Sequence, residues 1–86
     1  MTKYTKLPPI SGKMLIRLLK KDGWVDKRRT KHGVALARAF GDRTLVTVIP
    51  DTGASLDDGT LGAILSPKQT NIGKTGLLKL LNDFKM

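Results

Sequence analysis

The stretch "RRTKHG", Arg28 to Gly33, gathers the residues best suited to chemistry in this 86-residue chain. His32 is its only histidine, set behind Arg28, Arg29 and Lys31 and ahead of a glycine. An imidazole is the natural metal-free general acid or base near neutral pH. Guanidinium and ammonium groups hold a phosphodiester, and Gly33 lets a backbone come close. RNA carries its own nucleophile, the 2′-OH, so one proton shuttle and a few cations suffice to cut it. DNA lacks that hydroxyl and normally needs a metal. The residue types therefore favour RNA as substrate. His32 would be the catalytic group, either base toward the 2′-OH or acid toward the leaving 5′-oxygen. Arg28, Arg29 and Lys31 would bind the phosphate and offset the charge that grows on it. The plain alternative is a polar residue on a basic surface.

Other chemistries find less support. There is no cysteine and no glutamate, so seven aspartates and one histidine are the available anionic or imidazole ligands. The one acidic pair, Asp57–Asp58, stands where a helix start favours negative charge, and no metal or other cofactor is expected. "NIGKTG" (71–76) resembles the end of a phosphate loop, but the position that needs its first glycine is Lys68. Trp24 follows Gly23 directly, which suits packing better than base stacking. With four aromatics in all, no stacking platform is visible.

The charge is lopsided. The net +9 lies wholly in residues 1–43, where twelve Lys and Arg face three Asp; residues 44–86 carry four of each sign. Such asymmetry points to a polyanionic partner, nucleic acid first. The lack of cysteine fits a reducing cytoplasm. No apolar run reaches the roughly 18 residues of a membrane span, and "MTKYTKLPPI" lacks the apolar centre of a secretory signal. Residues 1–9 read as a basic mobile arm and 10–86 as one domain.

The elements that must position these residues can be read in outline. Ser11 is a helix N-cap, with Ile10 and Leu15 at hydrophobic-staple spacing and Met14, Leu15, Leu18 and Leu19 on one stripe. Gly23 suits the left-handed position after the helix, with Trp24 folding back on Leu19. The outer face of this helix, about 12–22, carries Lys13, Arg17, Lys20 and Lys21, a cationic ridge that would track an RNA backbone. "WVDKRRT", "GVALARAF" and "RTLVTVI" are extended, the last two joined at Gly41–Asp42 into a hairpin. The parity of "LVTVI" is ambiguous because nearly every position is apolar. Ser55 with Asp58 predicts a capped second helix holding Leu61, Ile64 and Leu65, and Leu77, Leu80, Leu81 and Phe84 predict a third. The class is α+β, a three-stranded antiparallel sheet with helices on one face.

Four segments together resemble the HicA family of bacterial toxin–antitoxin systems, over about residues 8–66. They are "ISGKMLIRLLKKDGW", the histidine leading into the second strand, "VTV" shortly before a proline, and "DDGTLGAIL". The resemblance implies a double-stranded-RNA-binding-domain-like α-β-β-β-α fold and a small mRNA interferase that blocks translation. It also implies a HicB-like antitoxin partner that masks the histidine, and its catalytic histidine falls on His32. Three features depart from the family. Its usual Gly-Ser-His triplet is Thr30-Lys31-His32 here, the first strand looks one residue shorter, and residues 66–84 add an extra C-terminal helix. The altered triplet keeps a non-catalytic RNA-binding module in view, and the basic face alone would also suit an interaction protein docking an acidic partner.

Overall fold

The computed structural model describes residues 8–84. Of the arm read over 1–9, only Pro8 and Pro9 fall inside that range; the rest lies outside the described residues. The elements run α1 (Gly12–Lys21), β1 (Val25–Thr30), β2 (Gly33–Phe40), β3 (Arg43–Ile49), α2 (Asp58–Leu65) and α3 (Gly73–Phe84). The strands form one antiparallel sheet in the order β1-β2-β3. The class is α+β.

Both ends of α1 are set by local hydrogen bonding. Ser11 is extended, and its hydroxyl accepts from the Met14 N–H at 3.1 Å. The Lys13 N–H, a second donor that the first turn leaves open, finds the Thr52 carbonyl at 3.0 Å. At the far end Gly23 takes φ +110°. The Gly23 N–H then reaches Lys20 O, and the Trp24 N–H reaches Leu19 O at 2.9 Å. This paired closure turns the chain back so that the Trp24 ring is buried, edge-on to Phe40 at 6.2 Å.

The ambiguous parity of the third strand is settled by register. Val34, Leu36 and Arg38 pair with Ile49, Thr47 and Leu45, and this face meets the helices. Val46 and Val48 pair with Ala37 and Ala35 on the opposite face, where they stay 41% and 40% exposed. A hydroxyl, Thr47, is thus buried while two valines face outward. On β1 a register shift between Asp26 and Arg28 re-aims the strand. Beyond it Arg29 pairs with Val34 and Arg28 with Ala35, so the two arginines leave on opposite faces.

α2 starts later than its expected cap. Asp57, not Ser55, is the N-cap: its carboxylate accepts from the Thr60 N–H at 2.6 Å. Ser55 instead forms a bridge with Ser11, and the Leu56 N–H donates to Ile10 O at 2.7 Å. Pairing of the two segments that precede α1 and α2 outcompetes the capping box. Asp57 caps with a full charge at the helix's positive end, which is a stronger cap than serine gives there. The Leu61, Ile64 and Leu65 stripe of α2 and the Leu77, Leu80 and Leu81 stripe of α3 complete a core with Leu15, Leu18, Leu19, Leu36 and Ile49. Among the described residues, no helix is long and apolar enough to cross a membrane.

Candidate functional site

His32 stands at the tip of the β1–β2 hairpin. Thr30 pairs with Gly33, so Lys31 and His32 form a two-residue turn. The turn is held from inside: the Thr30 hydroxyl donates to Gly33 O at 3.1 Å and accepts from the His32 N–H at 3.2 Å. Gly33 has φ +144°, and a β-carbon there would lie 2.0 Å from Ile49 O. Only glycine lets the hairpin close this tightly against the end of β3. Lys31 and His32 are exposed, and among the described residues no side chain hydrogen-bonds the imidazole. Its ring nitrogens can thus meet a ligand directly.

The imidazole borders a cleft of about 470 Å³, lined by His32, Val48, Pro50, Gly59, Thr60 and Gln69 among others. The side chains come from the hairpin turn, the end of β3, the first turn of α2 and the bend after it. Asp57 lies beside this wall. Its carboxyl is held below its ordinary value chiefly by the backbone bond from Thr60, so it is a fixed anion engaged with the helix end.

The expected phosphate-binding residues divide into two groups. Lys13, Arg17, Lys20 and Lys21 of α1 meet Arg29 of β1 around a separate groove of about 480 Å³, floored by Ile16 and Val34. Two carboxylates share it. Asp51 ties Lys13 at 3.1 Å and also Arg29, and Asp26 pairs with Lys20 at 2.8 Å. The Arg29 bond comes first, and the Lys13 bond second, in holding the Asp51 carboxyl below its ordinary range. The same contact raises the Arg29 guanidinium further. Arg28 belongs to the other group. It shares the outer face of the sheet with Ala35 and Val48 in one cross-strand row, and Val48 lines the His32 cleft. With strands roughly 4.8 Å apart, Arg28 starts about 10 Å from Val48. Lys31 is next to His32 in the turn. The structure therefore gathers Lys13, Arg17, Lys20 and Arg29 in the α1 groove, sets Lys31 beside His32 in the hairpin turn at the mouth of the cleft between β3 and α2, and leaves Arg28 on the outer face of the sheet, outside the residues that line that cleft.

Four residues of these sites were not singled out by the sequence. Asp26 and Asp51 trim the groove's charge, and Thr60 and Gln69 line the cleft. One clue to Gln69 existed: a threonine within the apolar run "LVTVI" needs a partner if it turns inward, and Gln69 is that partner. Among the described residues no three His, Cys, Asp or Glu side chains converge.

No protein-family model matches the chain, and neither the curated proteins nor the solved structures contain a match.

Proposed function

We propose that the protein is a HicA-like mRNA interferase, a metal-independent endoribonuclease that acts in the cytoplasm on a double-stranded-RNA-binding-domain-like fold. The observation that carries this reading is the exposed His32. It sits on a two-residue turn at the mouth of a cleft, with Lys31 beside it and Arg28 farther along β1. In the reaction the 2′-oxygen attacks the adjacent phosphorus, the P–O5′ bond breaks, and a 2′,3′-cyclic phosphate and a 5′-hydroxyl result. His32 takes the proton from the 2′-OH or gives one to the departing 5′-oxygen. Lys31 and Arg28 offset charge on the non-bridging oxygens. The α1 groove holds the RNA backbone at a distance from the bond that breaks.

A lone active ribonuclease needs restraint, and a HicB-like antitoxin is the proposed partner. Its docking surface should be acidic, because complementary charge speeds association and fixes register. It would mask His32 and the Arg28–Lys31 strand together. Labelled RNA added to the preformed complex should therefore not bind; undiminished binding would place the antitoxin elsewhere.

The test of the activity is direct. Purified, partner-free protein is incubated with mixed mRNA in excess EDTA, and cuts ending in 2′,3′-cyclic phosphate are expected. A second reading, a non-catalytic RNA-binding module, is favoured by one observation: among the described residues, no carboxylate or carbonyl hydrogen-bonds the imidazole. Tight RNA binding with no cuts would select it. An interaction protein for an acidic partner would bind no RNA at all.

A further inference from the structure

Gln69 is held in a way that a surface glutamine is not. Its N–H donates to Ser66 O at 3.0 Å, which fixes the bend after α2. The next residue, Thr70, is buried and bonds Ile64 O twice, from its N–H at 3.0 Å and its hydroxyl at 2.6 Å. The backbone at this position is therefore clamped from both sides. The side chain is fixed as well: its Oε1 accepts from the Thr47 hydroxyl at 2.6 Å. Thr47 is only 2% exposed, so its O–H must find an acceptor inside the protein. An amide turned the other way would leave that proton unpaired, and the contact thus decides which end of the amide is which. Gln69 also lines the cleft that His32 borders. With Oε1 turned inward to Thr47, the Nε2 amide NH2 is the end better placed to serve a ligand.

We infer that Gln69 is a specificity-determining residue, one that reads the base beside the phosphate presented to His32. This rests on the proposed reading of the cleft as an RNA site. A free glutamine reads adenine with both ends at once, accepting from N6 and donating to N7. Here Oε1 is turned toward the buried Thr47 hydroxyl, so the donor end of the amide is the one set to meet a base in the cleft. The base edge that fits presents acceptors, such as the O6 and N7 of guanine or the O4 of uracil. Adenine can still accept at N7, but its N6 amine meets the Gln69 amide NH2 instead of an acceptor, so it makes one contact fewer and is disfavoured.

The experiment uses the whole chain and short single-stranded oligoribonucleotides that differ in one base. Cleavage is read on the all-ribose forms in EDTA. Affinity is read on forms whose 2′-OH at the cut site is replaced by hydrogen. Guanine or uracil should be preferred over adenine by about tenfold or more in both readouts. The guanine and uracil arms separate the two carbonyl sources. Gln69→Glu keeps an acceptor for Thr47 but faces the cleft with another acceptor, so the preference should move toward adenine and cytosine. Gln69→Met, nearly the same shape without donors, should flatten the ranking while circular dichroism stays unchanged. Thr47→Val, which frees the amide to rotate, should restore adenine binding. An unchanged base ranking in folded Gln69→Glu and Gln69→Met would overturn the assignment. Binding that keeps the ranking without any cleavage would preserve Gln69 as the reader and remove the catalytic reading alone. Absence of RNA binding in the wild-type protein would remove both.

Discussion

At the scale of single residues, His32 and Asp51 have opposite parts in the proposed chemistry, and each gives a prediction. Losing a positioned general acid or base costs about a hundred- to ten-thousandfold in rate, so His32→Ala should abolish cleavage on ordinary assay timescales. Thermal unfolding of that variant should match the parent, because the imidazole is exposed and packs in no core. Equal activity would transfer the chemistry to another group. Asp51 restrains the groove by tying Lys13 and Arg29. Asp51→Asn should release both cations, tighten RNA binding and steepen its salt dependence by roughly one phosphate contact. The depressed Asp51 carboxyl also fixes a pH dependence. Its stabilising contribution is fully present above the unfolded carboxylate value of about 3.9 and is lost as the pH falls through the lower folded value. Between pH 5 and 8 the Lys13–Asp51–Arg29 tie should therefore hold. RNA affinity rising on acidification within that window would point to a different titrating group.

At the scale of elements, α1 was the most legible part of the chain. Ser11 and the Ile10–Leu15 pair mark its start, Gly23 and Trp24 its end, and all four signals are local in sequence. Removing the cap by Ser11→Ala should cost about 1 kcal/mol. For a domain of this size that lowers the melting temperature by about 4–8 °C, measurable by calorimetry. An unchanged melting temperature would mean that the bridge to Ser55 alone holds the helix start. The start of α2 was misread for the converse reason. Ser55 has suitable chemistry for a cap, but its partner is Ser11, 44 positions earlier, and no local pattern records that. The third strand shows the same limit. Its inward face was undecided because Val46 and Val48 are as apolar as Leu45 and Ile49. The decision rests on Thr47 meeting Gln69, a contact between a strand and the bend after a helix. In the candidate site, residue type singled out His32. Alternation along a strand would have parted Arg28 from Arg29, yet the groove that receives Arg29 exists only once α1 lies beside β1.

At the scale of the whole molecule, the excess charge is divided between two surfaces, and this sets the expected salt dependence of RNA binding. The groove carries five cations and two carboxylates, equivalent to about three neutralised phosphates, so its log–log salt slope with single strands should be about −2. Replacing Lys13, Arg17 and Lys20 together with Ala should flatten that slope. Arg28→Ala should reduce cleavage more than it reduces affinity, because it lies on the sheet face opposite the α1 groove. Arg29→Ala should do the reverse. Equal effects of the two substitutions would mean that RNA meets β1 from one side only.

The two surfaces nevertheless share a hinge-pin. A β-carbon on Gly12 would lie 1.7 Å from Pro50 O, and one on Gly33 would lie 2.0 Å from Ile49 O. Asp51, the next residue, holds Lys13 and Arg29. Three consecutive residues thus touch the root of the cationic helix, the base of the histidine turn and both ends of the groove's ionic tie. A sequence change at either glycine is felt on both sides of the sheet together. Under the proposed function, variants that drift in how they hold an RNA strand through this junction should drift in how they present the imidazole. Only changes farther out, at Arg17 or Lys20 on one side and at Thr60 or Gln69 on the other, would then leave grip and cut free to evolve apart.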